Sequence, residues 1–408
     1  MALPRTLLRS ASAVILAATL ALNVGGATVF AADPPTTTDP GAAAAGWIAA
    51  QVEAGVGPGS LADAIFAYAA TGVGANAAAD ALSKLEAGVD GYILDGSSAL
   101  MPGNLAKTML AVQVAGGDVH AFGGHDLEAD LRSLLITTPG PDLGRFGTAQ
   151  NLDQALAILG LARTSGGVPA GAVDWLVAAQ CPNGDFQWDG SCPGAGAEDP
   201  DTTSLALQAL LAGGATAAAA TSTKLLLDIQ GSDGSFSSYG SANTNSSGVA
   251  GQALRAAGKA AAADDAAAFV LTLQYGCDAP AADRGAFPWA ASSAGFLVFS
   301  TPQAVLALGA PALDKLSIAG AAAATPILDC PEPTPTPAPA PTGPVTSSPT
   351  PAASGGSGAG PTITVPPTDL GTATPTSDSG GPSLPIALLL LTVFAGGALA
   401  TARLRVRR

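Results

Sequence analysis

The sequence predicts an all-α fold, a closed α/α toroid of six inner and six outer helices, and three observations support this prediction. An apolar helical segment recurs every 44 to 55 residues along the 408-residue chain. A more amphipathic helical segment alternates with it. The β-branched alternation that a sheet would need is scarce. The alternative is an open helical solenoid, which the same local pattern could also build.

The six apolar segments share a polar start and a glycine near the end. Small polar residues are good helix N-caps and glycine is a common C-cap, so each segment is predicted to be a short buried inner helix. The starts are Ser60, Asn104, Asn151, Asp201, Asn245 and Ser300, and the glycines are Gly72, Gly116, Gly160, Gly213, Gly258 and Gly309.

The outer helices end in a recurring motif of an apolar or aromatic residue, a glutamine and a Gly-x-Phe turn. The best-preserved copies contain Trp175, Gln180, Gly184 and Phe186, and Gln230, Gly234 and Phe236. Looser copies contain Gln274, Gly285 and Phe287 near the end of the domain, and Trp47 and Gln51 near its start.

This motif resembles the QW-type repeat of the prenyltransferase and squalene oxidase repeat family, over roughly residues 44 to 318. The family includes squalene and terpenoid cyclases and protein prenyltransferase β-subunits, and the resemblance implies their α/α-toroid. The same toroid also serves non-enzymatic ligand binders. The Ala- and Gly-rich composition resembles that of surface proteins of high-GC Gram-positive bacteria.

Both ends of the chain carry targeting signals. Residues 1–32 have the basic start, apolar run and small residues of an export signal, and 33–43 form a short linker before the helical domain of 44–330. A Pro-, Thr-, Ser- and Gly-rich stalk (331–383), an apolar transmembrane helix (384–402) and a cytoplasmic basic tail (403–408) follow. The sequence thus predicts a single-pass protein of the cell membrane, with its main domain outside a Gram-positive cell.

The charge of the predicted outer domain excludes some partners. The chain has 31 acidic and 16 basic residues, and six of the basic residues lie in the signal and the tail. The ten basic residues that remain, against 31 acidic ones, are too few to neutralise phosphates over an extended surface, so nucleic acid is excluded as a partner.

Four cysteines fall in the exported region, and an even number there suggests two disulfides. Three connectivities exist. We expect Cys181 to pair with Cys192 around a short loop, and Cys277 with Cys330 at the end of the domain. Zinc is the rival interpretation, but the chain has no Cys-x-x-Cys pair and its two histidines, His120 and His125, are distant in sequence.

The sharpest catalytic candidate is Asp199-Pro200-Asp201-Thr202. It is similar to the DxDD motif of class II terpenoid cyclases, in which the middle aspartic acid protonates an alkene or epoxide. The resemblance implies that Asp201 is the general acid and that Asp199 supports it, although Thr202 replaces the last aspartate. The alternative is that Asp201 is simply an N-cap.

The favoured hypothesis is a surface-anchored, non-catalytic toroid that binds a ligand or has a structural role in the cell envelope. The chain has only four Trp, four Tyr and 11 Phe, which is few for the aromatic cavity of a cyclase. A cyclase-like isomerase or lyase that uses Asp201 is the alternative, and a cobalamin-type carrier is a third. We expect no metal and no cofactor. The expected partners are the membrane, through the C-terminal helix, and a small apolar ligand or a surface protein.

Overall fold

The computed structural model describes residues 35–293 and 295–331. The predicted export signal, transmembrane helix and tail, and all but the first residue of the stalk, lie outside these residues. Within them the elements, in chain order, are β1 (Thr36–Thr37), α1 (Pro40–Ala54), α2 (Pro58–Thr71), α3 (Ala75–Ala87), α4 (Asp90–Ile93), α5 (Pro102–Val114), α6 (Leu127–Ser133), α7 (Asn151–Leu161), α8 (Ala170–Ala178), α9 (Pro200–Ala212), α10 (Thr216–Ile229), β2 (Phe236–Ser238), β3 (Ser241–Asn243), α11 (Thr244–Ala256), α12 (Ala260–Leu271), α13 (Leu297–Ala304) and β4 (Ile327–Leu328), with a 3₁₀ turn at Val305–Ala307 after α13.

Six helices, α2, α5, α7, α9, α11 and α13, form a closed ring. Each contacts the next, and α13 also contacts α2. Closure is consistent with the predicted toroid and not with an open solenoid. These helices are buried around most of their circumference; in α7, for example, every residue except Leu152 is buried. Their Ala- and Leu-rich sequences suit this central position, because nearly every side chain leaves water.

Most outer helices bury only one face. In α3 the buried residues are Ala78, Ala81 and Leu85, which lie on one side of a helix, and polar residues occupy the other side. Helices α6, α8, α10 and α12 pack in the same way against the ring. The exception is α1, which is buried continuously from Gly41 to Ile48 because it contacts both the ring and β4. The difference in apolar periodicity between the two sets therefore separates the inner layer from the outer layer.

The motif glutamines connect successive outer helices. The side-chain amide of Gln180 donates to the carbonyl oxygen of Ala218 at 2.9 Å, and that of Gln230 donates to Ala262 at 2.8 Å. Gln274, after the last outer helix, donates to Pro40 at 2.8 Å. Because Pro40 is the first residue of α1, this bond joins the end of the outer layer to its beginning.

The motif glycines allow the same contacts. Gly184, Gly234 and Gly285 all have positive φ. A Cβ on Gly234 would lie 2.1 Å from the carbonyl oxygen of Asp265 in α12, and one on Gly285 would lie 2.7 Å from that of Ala43 in α1. Only glycine combines this backbone conformation with such a close approach to the next helix.

The motif phenylalanines connect each outer turn to the following inner helix. Phe186, Phe236 and Phe287 are fully buried. Their backbone N–H groups donate to the hydroxyls of Thr203, Ser247 and Thr301 at 2.9, 2.9 and 3.0 Å. Each hydroxyl lies in the first turns of an inner helix. The turn therefore fixes where that helix begins.

One end of the ring is covered by a segment that we call the C-terminal strap, residues 311–324. It crosses the C-terminal ends of the inner helices one after another. Gln252 of α11 donates to Pro311, Gln208 of α9 accepts from the N–H of Leu313, and the N–H of Ile318 donates to Val114 of α5. The strap leaves only the opposite end, where the inner helices begin, for a site at the ring.

The chain termini of the domain are held together. Strand β1 pairs in parallel with β4, and the disulfide Cys277–Cys330 lies beside this pair in sequence. The second disulfide is Cys181–Cys192. Both predicted pairings are thus present, and no cysteine of the described residues is left for zinc.

Several predicted boundaries were wrong. The N-caps lie two to four residues before most predicted starts, and in α2, α5 and α9 a proline directly after the cap begins the helix. The N-caps are Gly57, Met101, Gln150, Asp199, Asn243 and Phe296. Gly160 lies inside α7 and does not end it. The predicted linker already contains β1 and the start of α1. Across residues 35–293 and 295–331, no helix has the length and apolar character needed to cross a membrane.

The ring-closing bond of Gln274 predicts a specific loss of stability. In Gln274→Ala the carbonyl groups of Pro40 and Gly285 lose their donor. We expect the free energy of unfolding in urea to fall by about 1–3 kcal/mol. The matched control is Gln51→Ala in α1, whose side chain is equally half-buried and makes no hydrogen bond to another described residue. An equal loss in both variants would contradict this account of closure.

Candidate functional site

A pocket of about 430 Å³ lies at the end of the ring opposite the strap. It is formed between neighbouring repeats, by the first turns of α7 and α9, the loop that precedes α9, the end of α10 and the β2–β3 hairpin. Its lining residues are Leu152, Gln187, Trp188, Gly196, Ala197, Glu198, Asp199, Asp201, Thr202, Ile229, Ser237, Ser238, Tyr239 and Gly240. Both residues of the predicted catalytic pair are therefore in one pocket wall.

Asp199 is the N-cap of α9. Its Oδ1 accepts from the N–H groups of Asp201 and Thr202 at 3.1 and 3.0 Å, and its Oδ2 accepts from the Thr202 hydroxyl at 2.7 Å. Burial raises the pKa of Asp199, against the opposing effect of these hydrogen bonds. Thr202 thus serves to hold Asp199.

Asp201 is not the N-cap, so the capping interpretation of this residue was wrong. It lies in the first turn of α9 and is 8% exposed. Its Oδ2 accepts from the side-chain amide of Asn245 at 3.2 Å, whereas its Oδ1 has no hydrogen-bond partner among the described residues. Burial, followed by the charge of Asp199, raises the pKa of Asp201 to about 7. This carboxyl can therefore hold a proton near neutral pH.

The repeat motif positions Asp201 through its neighbours. Asp185, inside the Gly-x-Phe turn, accepts from the Thr203 hydroxyl at 2.9 Å, and Phe186 donates its N–H to the same hydroxyl. Asp185 also accepts from the backbone N–H of Asp199 at 3.1 Å. Both ends of the Asp199–Thr203 segment are thus tied to one buried turn.

Two aromatic residues complete the pocket. Tyr239 and Gly240 both have positive φ and form a two-residue turn between the paired Ser238 and Ser241. Tyr239 is 47% exposed, and burial of its hydroxyl end near Asp199 and Asp201 raises its pKa to about 12. Trp188 is half-buried and lies inside the loop closed by the Cys181–Cys192 disulfide.

The charged residues of the lining are all acidic. They are Glu198, Asp199 and Asp201, and the lining contains no lysine, arginine or histidine. Both oxygens of Glu198 accept from the N–H of Gly196, which shapes the loop before α9. The pocket therefore has an acidic wall without a compensating base.

A second buried acid lies on the neighbouring inner helix. Asp153 of α7 accepts from the N–H of Gln150, and burial raises its pKa to about 6. It is 7% exposed but does not line the pocket. Asp153 is therefore a natural control for Asp201.

The histidines are part of a different surface. His125 bonds Asp130 of α6 and Asp90 of α4, each at 2.9 Å, and the bond to Asp90 is the main cause of its raised pKa. His120 pairs with Asp126, the N-cap of α6. These contacts hold α4, α6 and their loop together, and neither histidine lines the pocket.

The sequence identified the acid pair but not the other walls of the pocket. Trp188, Tyr239 and Glu198 were missed. Gly240 in the stretch Ser238-Tyr239-Gly240-Ser241 is a residue type that favours a hairpin turn, and it was the available signal. The scarcity of β-branched alternation in the sequence argued against strands, so the hairpin was not predicted. Trp175, the tryptophan of the repeat motif, lies on α8 outside the pocket. The guanidinium carbon of Arg145 lies over its ring, 5.5 Å from the ring centroid.

Comparison with known proteins gives one kind of match. No protein-family model matches the chain, and no curated protein matches it. Among solved structures it is similar to ent-copalyl diphosphate synthase from Streptomyces platensis, with 20% identity and a TM-score of 0.43 over 63% of this chain. The match covers 50% of that protein, so the chain spans about half of its length. The resemblance to the QW-repeat family stays a prediction.

The raised pKa of Asp201 predicts that replacing this residue by asparagine increases thermal stability, and that the increase depends on pH. The folded state favours the neutral carboxyl, so its contribution to stability is complete below about pH 4 and is lost as the pH rises through about 7. Asp201→Asn should therefore melt several degrees above wild type at about pH 8, roughly 2–4 °C for each kcal/mol, and this gain should vanish at about pH 4.

The control for this measurement is Asp185→Asn. Asp185 accepts three hydrogen bonds, from Asp199, Thr203 and Gln187, and an amide cannot accept all of them. This variant should lose about 1–3 kcal/mol at about pH 8, where Asp201→Asn is expected to gain stability. A melting temperature of Asp201→Asn that is lower than wild type at high pH would contradict the assignment of a neutral acid.

Proposed function

We propose that the protein binds a small ligand in the pocket beside Asp201, without converting it, and that it does so outside the cell. The observation that carries the proposal is the pocket itself. It has the size of small-molecule sites and combines aromatic rings with a few converging polar groups, one of which has a raised pKa.

The walls of the pocket are supported as a binding site requires. Trp188 is constrained by the Cys181–Cys192 disulfide, Tyr239 by a two-residue hairpin turn, and the acid pair by the first turn of α9. Walls held in this way lose little conformational freedom when a ligand binds, which favours affinity. The acidic side chains favour a polar ligand over the apolar one that the sequence suggested.

The place of action is part of the proposal. The predicted export signal and C-terminal helix would tether the domain outside the membrane. The two disulfides support this location, because disulfides persist in oxidising compartments.

The second candidate is proton donation by Asp201 in a cyclase-like reaction. The raised pKa and the spare oxygen of Asp201 favour it, since a general acid must hold its proton in a site largely closed to water. Two features oppose it. Only Trp188 and Tyr239 supply aromatic rings to the lining, and no basic side chain is there to hold a diphosphate.

Native mass spectrometry of the protein exported by its host cell tests the binding proposal. A molecule that co-purifies and dissociates on unfolding is expected. Trp188→Phe should reduce its occupancy several-fold, whereas the control Trp175→Phe, at a half-buried tryptophan outside the pocket, should leave occupancy unchanged. An empty wild-type pocket, or equal loss in both variants, would contradict the proposal.

The same ligand separates binding from catalysis. For a pure binder, incubation with wild-type protein leaves the co-purified molecule chemically unchanged. For an acid catalyst, wild type converts it and Asp201→Asn does not, whereas Asp153→Asn retains activity because Asp153 does not line the pocket. Conversion by wild type would replace the binding proposal with the catalytic one.

A further inference from the structure

We propose that the ligand carries a positively charged nitrogen, as in an alkylammonium or quaternary ammonium group, held between the rings of Trp188 and Tyr239 and the carboxyl of Asp201. The inference rests on the proposed function, because it names the ligand class of the same pocket.

The first argument is the uncompensated charge of the pocket wall. Of the ion pairs formed by the described residues, none includes Glu198, Asp199 or Asp201. By contrast, the partly buried Asp63 is paired with Lys107 at 2.8 Å. Neighbouring buried carboxyls destabilise each other's charged forms, and a cation in the pocket would offset this repulsion.

The second argument is which oxygen remains available. The oxygens of Asp199 are occupied by the first turn of α9, and those of Glu198 accept from Gly196. Asp201, nine-tenths buried and part of the lining, keeps Oδ1 without a partner among the described residues. A buried oxygen of this kind is costly unless something binds it. Asp153 also has one but lies outside the pocket, so among the carboxyls of the lining Asp201 is the expected acceptor for the ligand's charge.

The third argument is the pairing of aromatic rings with acids. The faces of Trp and Tyr rings attract cations, most strongly where water is excluded, and carboxylates add to this attraction. A neutral polyol could contact the aromatic rings and donate hydrogen bonds to the carboxyl oxygens, but it would not offset the repulsion between the carboxylates of the lining. An anion would find no basic side chain in the lining to bind it.

Binding of a cation should release a proton. The charged form of Asp201 is disfavoured in the empty pocket, and a neighbouring positive charge would favour it. The titratable groups that face Asp201 are Asp199, Asp185 behind it, and Glu198 and Tyr239 across the pocket. None of them is a base that could supply the charge instead.

The experiment compares choline with 3,3-dimethylbutan-1-ol, the neutral molecule in which carbon replaces the nitrogen. Binding to the full exported chain is measured by calorimetry in two buffers of different ionisation enthalpy, with tryptophan fluorescence as a second readout. Choline should bind at least about tenfold more tightly than its isostere, and its affinity should rise by up to about tenfold between about pH 6 and pH 8.

Three variants assign the effect to the pocket. Asp201→Asn should abolish proton release and the pH dependence, while Tyr239→Ala should weaken choline several-fold. Asp153→Asn, at the buried acid outside the pocket, should behave as wild type.

The outcomes separate this inference from the proposal on which it rests. If choline and its isostere bind beside Trp188 with equal affinity, the proposal that the pocket recognises a positive charge is wrong, but the pocket remains a binding site. Failure of choline to bind, together with a neutral or anionic molecule found in the purified protein, would do the same. Failure of both probes with no co-purifying molecule would overturn both proposals.

Discussion

The structure depends on a hydrogen bond that is repeated at three successive junctions of the outer layer, from the glutamine after one outer helix to a carbonyl group near the start of the next. Gln180, Gln230 and Gln274 each make this bond, and the last of them returns to α1. A repeat array held only by neighbour contacts would be open at its ends. Here the final bond, the β1–β4 pair and the strap convert a linear array into a closed ring.

The same motif also determines where chemistry can take place. Its Gly-x-Phe turn binds the first turns of the next inner helix, and in the α8–α9 repeat that turn carries Asp185, which holds Thr203 and the backbone of Asp199. The strap covers the C-terminal ends of the inner helices. The accessible end of the ring is therefore the one where Asp201 lies, buried beside a second acid and close to two aromatic rings.

Much of the fold could be predicted from the sequence, because it is encoded by local signals that recur. The contrast between apolar inner helices and one-sided outer helices, the motif glutamines and the cysteine spacing all led to the observed arrangement. Helix starts were less predictable. Asp201 and Asn245 have the residue types of N-caps, but Asp199 and Asn243 precede them and cap the helices instead. Where two residues of a good capping type lie within three positions of each other, residue type alone does not show which of them is the N-cap.

The pocket was less predictable than the fold because its walls come from distant segments. Asp201 could be found by its motif, whereas Trp188 and Tyr239 carry no local signal of function and meet it only through the disulfide loop and the hairpin. The raised pKa of Asp201 likewise depends on burial by several helices.

The central claim is that the fold keeps Asp201 as a neutral acid in the pocket wall, and a direct titration of its carboxyl tests it. The protein would be labelled with ¹³C at aspartate carboxyls, and the Asp201 signal would be assigned by its absence from Asp201→Asn. The account predicts a midpoint near pH 7. A midpoint near that of an exposed aspartate, about pH 4, would show that Asp201 is charged at neutral pH and would contradict the account.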